Sequence, residues 1–309
     1  MPAKKRPSIK YAKLKRPDDS VIENEGRVPK GERSIKPISV SAVRVRAGGT
    51  AKSVRPEKPN AITVIRSVSE FLQIVETKNL GDFALFRGQE RNFDLIPKIG
   101  RLNLRLDNFY DNERNMLSDF KRLTLPYLAK EPRSDWEWLS LAQHHGMATR
   151  LLDWTSNPLA ALWFAVGKNK SGNENGVLWI FDVPEDLILR NFDNGETPFN
   201  QKVTKVFQPP ISTNRIFNQN GWFTLHRYSE DEKKIIRFDW NTKYKKYLTK
   251  LDVDASCFSD IRFQLDRYGV NRASMFTDVD SMAAYAEWIN SVWEDEAEST
   301  LPKRMGLRK

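Results

Sequence analysis

The sequence has little cysteine and little histidine: one cysteine and three histidines among 309 residues. The single thiol, Cys257, excludes an internal disulfide and favours a reducing compartment, so we expect a cytoplasmic protein. The histidines and the cysteine show no paired spacing, and we therefore predict no metal site. No apolar run reaches the ~18 residues that a membrane helix needs, so we predict no membrane partner. The first residues are basic without an apolar stretch, and we expect no secretory signal there.

Common catalytic signatures are also missing. The sequence contains no G-x-S-x-G elbow, no P-loop and no G-x-G-x-x-G motif. These motifs mark the serine of many hydrolases and two widespread phosphate-binding loops. Any nucleotide site in this chain therefore has to be built from other residue types.

Positive charge is concentrated at one end of the chain. Residues 1–60 hold 16 Lys/Arg and 6 Asp/Glu, a net of +10, so the other residues carry 34 of each sign (50 minus 16 and 40 minus 6). Large apolar residues are sparse there, which predicts a disordered basic tail. Two interpretations stay open: a solvated linker, or an arm that binds nucleic acid through its lysines and arginines.

Several helix starts can be recognised after residue 60. Ser67 and Ser134 each precede a glutamate by three residues, the spacing of a capping box. Asn157 followed by Pro158 is a second kind of helix start. A further long helix is predicted over 106–129 from its apolar spacing.

Strand signals are scattered among these helices. Apolar runs at 61–65, 83–88, 177–183 and 233–240 predict strands, and Asn-Gly at 220–221 predicts a hairpin over 215–226. Helical segments are expected near 242–250, 257–268 and 279–291. Strands and helices do not alternate regularly, so we predict an α+β fold: one mixed domain over 61–309 whose central, mostly antiparallel sheet is flanked by helices.

The segment from Gln143 to Ala165 concentrates chemically versatile side chains. Arg150 offers a fork of donors for an anion, Trp154 a stacking face, and Thr155 lies just before a helix N-terminus. A structural interpretation remains open, in which an ion pair between Arg150 and Asp153 ties a capped joint to the core. The adjacent histidines 144 and 145 point about 100° apart on a helix, so at most one faces a given cleft.

Four segments in a fixed order resemble the FRG domain, a largely uncharacterised family of bacteria and their phages. The family takes its name from the Phe-Arg-Gly that stands here at 86–88, within 85–101. The other matching segments are 141–166, 214–226 and 265–286. The resemblance implies an FRG domain with its core motifs between residues 83 and 290, but it names no reaction.

A second resemblance implies an activity. The motif order is similar to that of ADP-ribosyltransferases with an Arg, Ser-Thr-Ser, Glu constellation, which implies NAD as a possible cofactor. Arg87 and Gly88 match the first element, and a hydroxyl-rich segment at 149–156 matches the second. At the place of the glutamate stands Gln219. A carboxylate stabilises the oxocarbenium-like state of glycosidic cleavage, whereas a neutral amide does so poorly. Either Asp153 or Glu90 therefore supplies the charge, or the site binds a nucleotide without this reaction.

Two functions and one structural alternative follow. The first is an NAD-binding, ADP-ribosyltransferase-like enzyme or NAD glycohydrolase. The second is a non-catalytic nucleotide- or RNA-binding module, with the tail adding affinity for nucleic acid and Trp222 as a further stacking face. In the third, Arg87 and Asp153 form a buried ion pair that serves only the fold.

For the site itself, we predict that Arg87, Arg150, Asp153 and Gln219 converge on one cleft. The predicted catalytic residues are Arg87, Asp153 and Gln219. The predicted ligand-binding residues are Gly88, Gln89, Thr149, Arg150, Trp154, Thr155, Arg215 and His226.

Overall fold

The computed structural model describes residues 63–167, 174–190, 196–209 and 218–296. The chain divides into two units, Met1–Pro56 and Glu57–Lys309, and all described residues belong to the second. The predicted tail therefore lies outside the described residues, as does Arg215.

The helices begin where the sequence predicts capping. Ser67 and Ser134 each accept a hydrogen bond from the backbone N–H three residues on, and Asn157 accepts two in the same way. In chain order the helices are α1 (Val68–Thr77), α2 (Phe109–Thr124), α3 (Asp135–His144), α4 (Pro158–Val166), α5 (Phe258–Arg267), α6 (Arg272–Met275) and α7 (Val279–Asn290).

Within the described residues, seven strands form one mixed sheet: β1 (Thr63–Ile65), β2 (Ala84–Gln89), β3 (Leu151–Thr155), β4 (Gly176–Asp182), β5 (Lys205–Phe207), β6 (Gly221–Leu225) and β9 (Leu248–Val253). Their order in the sheet is β1-β9-β4-β2-β3-β6-β5. Only the β1–β9 pair is parallel among these described strands, so the predicted α+β fold with a mostly antiparallel sheet is confirmed. A separate two-stranded ribbon pairs β7 (Tyr228–Ser229) with β8 (Lys234–Ile235).

Helices cover one face of the sheet in two groups. Helices α1, α4 and α5 pack against β1, β9, β4 and β2, and their shared core includes Phe71, Leu162 and Ile261. Helices α2 and α3 pack against β3, β5 and β6 through residues such as Trp136 and Leu139. A second apolar cluster covers the opposite face. The boundary between the two helix groups therefore falls over the line where β2 meets β3.

Strands β2 and β3, both described over their full length, are joined by a single residue pair, Phe86 with Thr155. By contrast, β2 pairs with β4 from Ala84 to Gln89, and β3 pairs with β6 along its whole length. The two halves of the sheet thus separate beyond Phe86, which leaves a gap between strands at the boundary of the helix groups.

Three sequence predictions of secondary structure are wrong. The hairpin predicted over 215–226 does not form in its described part: residues 218–220 are a helix end and a turn, and β6 is already paired with β3 and β5. The segment near 242–250 contains a short 3-10 helix and then β9, because pairing with both β1 and β4 overrides its helical spacing. The strand predicted at 233–240 is reduced to the two residues of β8 and a 3-10 turn.

Gly88 lies where α4 crosses β2. A Cβ atom on Gly88 would stand 1.8 Å from the carbonyl oxygen of Ala161 and 2.8 Å from the backbone nitrogen of Ala165. Both obstacles are backbone atoms of one helix, which cannot move aside as a side chain can. Glycine at this position therefore sets how closely α4 approaches the sheet.

We predict that Gly88→Ala lowers the free energy of unfolding by about 3 kcal/mol, because the added methyl group forces α4 away from β2. Chemical denaturation of the full chain measures this. Gly146→Ala is the matched comparison: Gly146 has a positive φ of 81° but open space around it, so its cost should be about 1 kcal/mol. A Gly88→Ala loss no larger than that of Gly146→Ala would contradict the steric explanation.

Candidate functional site

A cavity of about 380 Å³ lies at the gap between β2 and β3, and we call it the strand-gap cavity. Aromatic residues supply much of its wall, and polar groups and glycines complete it. Its lining consists of Phe86, Arg87, Gly88, Gln143, His144, Gly146, Asp153, Trp154, Thr155, Phe164, Gln219, Gly221, Trp222 and Phe223. The volume is in the usual range for sites that bind small molecules.

Arg87 spans the gap between the two strands. Its Nη1 donates a hydrogen bond to the backbone oxygen of Asp153 at 2.5 Å and lies 3.8 Å from the Asp153 carboxylate. Its Nε is buried without a partner among the described residues. Burial lowers the pKa of the Arg87 guanidinium, and the Asp153 carboxylate opposes that shift. An arginine remains charged in such a setting, so Arg87 brings a fixed positive charge to the cavity.

Asp153 is the carboxylate of the strand-gap cavity. Its side chain is 61% exposed, whereas both neighbours in β3 are buried. Gln143 Nε2 donates to Asp153 Oδ2 at 3.1 Å, and Thr149 Oγ1 donates to Gln143 Oε1 at 2.6 Å. The cavity therefore holds a carboxylate that is open to a ligand and is held by neighbours on two sides.

Gln219 and Thr155 close the adjoining side of the cavity. Thr155 Oγ1 donates to the backbone oxygen of Gln219 at 2.6 Å, and Gln219 Nε2 donates to the backbone oxygen of Met275 at 3.1 Å. The amide of Gln219 thus ties the end of α6 to the cavity rim. A carboxylate here would lack the donor that makes this bond, which is a structural reason for the amide.

The structure does not bring Arg150 to the cavity. Its side chain is fully buried, with Nε 2.7 Å from Glu113 Oε2 and Nη2 2.9 Å from the backbone oxygen of Pro198. Burial raises the pKa of Glu113, and the adjacent Arg150 guanidinium opposes that rise. The structural alternative of an ion pair between Arg150 and Asp153 is also wrong, since Arg150 pairs with Glu113 and Asp153 with Arg87.

Thr149 and Gln89 are buried outside the strand-gap cavity. Thr149 is fully buried and reaches the cavity indirectly, through Gln143. Gln89 Oε1 accepts a hydrogen bond from Trp179 Nε1 at 3.0 Å in the core on the other face of the sheet. Glu90 is not among the residues that line the cavity.

Trp154 and His226 belong to a buried polar chain. Trp154 is 3% exposed and packs against Phe181 and Phe238, so its ring is not a free stacking surface. Trp154 Nε1 donates to Thr224 Oγ1 at 3.0 Å, and Thr224 Oγ1 lies 2.9 Å from His226 Nε2. His226 also lines a separate cavity of about 80 Å³.

The structure thus unites part of the predicted site. Arg87, Gly88, Asp153, Thr155 and Gln219 line one cavity; their roles stay predictions. Trp154 touches that cavity but its ring is buried. Arg150, Thr149, Gln89 and His226 do not line it, because the fold buries their side chains.

The predicted site residues leave out several residues that line the cavity, among them Gln143 and Phe164. Gln143 lies at the C-terminal end of α3, next to the two histidines. Its side chain donates a hydrogen bond to Asp153, ten residues later in the sequence, and no local pattern indicates that contact. Phe164 belongs to α4, and because almost every residue of that helix is apolar, its sequence does not indicate which aromatic ring faces the cavity. Of the adjacent histidines, His144 lines the cavity, whereas His145 is exposed and its ring is near Phe120.

The described residues contain no group of three or more His, Cys, Asp or Glu side chains placed to hold a metal ion. They also contain no helix that is long and apolar enough to cross a membrane.

The buried side chain of His226 should make the free energy of unfolding depend on pH. Burial, with Arg87 and Arg150 adding repulsion, lowers the pKa of His226 from 6.5 to about 3. As the pH falls below 6.5 the unfolded chain binds a proton at this histidine, but the folded chain does not until about pH 3. We therefore predict that the free energy of unfolding falls in this window, by up to about 1.4 kcal/mol per pH unit from this group.

Denaturation of the full chain at a series of pH values between 7 and 4 measures that slope. His226→Gln removes the titrating group and should flatten the slope relative to the parent. His145→Gln replaces an exposed histidine and should leave the slope unchanged. Equal slopes for the parent and His226→Gln would show that His226 is not the group responsible.

Comparison with known proteins bears on the region that contains the cavity. The family model described as FRG domain matches residues 83–174. This range includes the segments 85–101 and 141–166, whereas 214–226 and 265–286 lie beyond it. No curated protein and no solved structure gave a match. Most of the lining residues, including Arg87, Asp153 and Phe164, come from the matched range, so the cavity is built largely from the segment that matches the FRG domain, residues 83–174.

Proposed function

We propose that the strand-gap cavity binds NAD and that the protein cleaves its nicotinamide glycosidic bond, as an ADP-ribosyltransferase-like enzyme or an NAD glycohydrolase. The observation that carries the proposal is the open Asp153 carboxylate, inside an aromatic-walled cavity and 3.8 Å from the Arg87 guanidinium. Asp153 supplies the charge that Gln219 cannot. No other carboxylate is among the described residues that line the cavity.

The walls suit the parts of such a ligand. Phe164 and Trp222, which are both partly exposed, offer apolar and aromatic surface to a flat base or nicotinamide ring. Arg87 offers donors to a phosphate or ribose oxygen. Gly221 leaves the wall without a side chain at one point, which allows a ligand to approach the backbone there.

The proposed reaction begins with heterolysis of the bond between ribose C1′ and the nicotinamide nitrogen. The bonding electron pair leaves with nicotinamide, which becomes neutral, and positive charge develops on C1′ and the ring oxygen. The Asp153 carboxylate stabilises that charge electrostatically. Water or an acceptor nucleophile then attacks C1′, and its proton passes to Asp153 or to solvent. The products are nicotinamide and ADP-ribose, free or attached to the acceptor.

We predict that Asp153→Asn reduces nicotinamide release from NAD by about 100-fold or more, because an amide cannot neutralise the developing charge. Chromatography of full-chain reactions measures the rate, and a thermal melt checks that the variant folds. Asp231→Asn, which neutralises an exposed turn carboxylate, is the matched control and should react like the parent. A folded Asp153→Asn variant with the parent's rate would remove Asp153 from the mechanism.

A second candidate function is nucleotide binding without bond cleavage. The observation that favours it is that the Asp153 carboxylate is already engaged by Gln143 and lies near Arg87, which reduces the charge available to a transition state. Calorimetry with NAD distinguishes the two functions: binding by the parent with no nicotinamide released supports the module and contradicts the enzyme.

For that module we propose a contribution from the tail to RNA binding. Replacement of seven basic tail residues by Gln should weaken RNA binding and reduce its dependence on salt, because fewer counterions are released. Filter binding of single-stranded RNA to the full chain at 50 to 200 mM salt measures both. The seven positions are Lys4, Lys5, Arg6, Lys10, Lys13, Lys15 and Arg16.

The control for this test is the variant Lys243→Gln, Lys245→Gln and Lys246→Gln, which removes exposed charge near β9 instead. We expect that variant to retain the parent's salt dependence. Salt dependence that is the same in the parent and the tail variant would contradict a role of the tail in RNA binding.

A further inference from the structure

A directional chain of hydrogen bonds leads from the backbone of β3 to the carboxylate of the strand-gap cavity. The N–H of Leu151 donates to Thr149 Oγ1 at 3.1 Å, and Thr149 Oγ1 donates to Gln143 Oε1 at 2.6 Å. Gln143 Nε2 then donates to Asp153 Oδ2 at 3.1 Å. The chain begins and ends in the same strand, two residues apart, but passes through the C-terminal turn of α3.

The chemistry of each member fixes the direction of this chain. A backbone N–H can only donate, so the Thr149 oxygen accepts and its one proton is free to be given to Gln143. An ionised carboxylate can only accept, so the amide nitrogen of Gln143 has to face Asp153. The orientation of the amide is thus determined at both ends, and it does not depend on choosing between two equivalent placements.

The two oxygens of Asp153 are consequently different. Oδ2 accepts from Gln143 and lies 3.8 Å from Arg87, whereas no residue that the structure describes donates to Oδ1. Arg87 also holds the Asp153 backbone oxygen. The main chain and one carboxylate oxygen are therefore fixed, which leaves the other oxygen for a ligand in the cavity.

We propose that Gln143 and Thr149 are positioning residues that aim the Asp153 carboxylate at the reacting centre; this inference rests on the proposed cleavage of NAD. Thr149 is fully buried and cannot touch a ligand, so its effect passes through Gln143. Gln143 lines the cavity, but its amide is used to hold the carboxylate. The pair directs Oδ1 toward ribose C1′, where positive charge develops.

The first test separates positioning from binding. Thr149→Val keeps the shape of the side chain but removes the proton that fixes Gln143, so kcat for nicotinamide release should fall about 10-fold or more while KM for NAD stays within about twofold. Thr149→Ser retains the hydroxyl group and should restore kcat. Ser140→Ala is the control. It removes a buried hydroxyl hydrogen bond within α3 that is not part of the hydrogen-bond chain to Asp153, so this variant should react like the parent.

The second readout does not depend on activity. The side-chain amide resonance of Gln143 in the ¹H–¹⁵N spectrum of the full chain is identified by its loss in Gln143→Glu. It should shift in Thr149→Val and in Asp153→Asn, and stay in place in Ser140→Ala. If the parent releases no nicotinamide, the proposed function fails. The Gln143 resonance alone then decides whether the hydrogen bonds from Thr149 through Gln143 to Asp153 exist.

The outcomes that overturn the inference are specific. In an active parent, a folded Thr149→Val variant with unchanged kcat overturns it, whether or not the resonance moves. In an inactive parent, an unchanged resonance in both Thr149→Val and Asp153→Asn overturns it. A fall in kcat that Thr149→Ser does not restore also counts against it, because that result indicates a packing defect.

Discussion

The single residue pair between β2 and β3 is the constraint on which the rest of the site depends. Since Phe86 and Thr155 form the single pair between these two described strands, the strands separate beyond it. Backbone groups that face the gap then have no partner on the other strand. Arg87 meets one of them, the carbonyl of Asp153, across the gap. The same side chain bridges the gap and places a cation beside a carboxylate, so one residue serves both the fold and the proposed chemistry.

Buried polar contacts and close packing hold the elements around this gap in place. Arg150, the residue before β3, and Glu113 of α2 form a fully buried pair, and loss of one partner of such a pair commonly costs about 3–5 kcal/mol. Gly88 lets α4 approach closely and presents Phe164 to the cavity. The walls are thus fixed by core contacts outside the cavity, which suits a site that has to orient a ligand.

The parts that could be predicted from sequence are those with local causes. Ser67, Ser134 and Asn157 mark helix starts because a cap and its partner are three residues apart or fewer. Strand β9 and the failed hairpin were mispredicted because their outcome depends on neighbours distant in sequence. For the same reason Arg150 was expected in the cleft: its partner Glu113 is 37 residues earlier, with no local signal. Gln143 was missed because its role needs the fold.

The most direct measurement of the central claim is a crystal structure of the full chain grown with a non-hydrolysable NAD analogue. We expect the analogue to lie in the strand-gap cavity, with its nicotinamide ribose next to Asp153 Oδ1 and a ring against Phe164 or Trp222. An analogue bound at another surface, with this cavity unoccupied, would contradict the assignment of the gap between β2 and β3 as the ligand site.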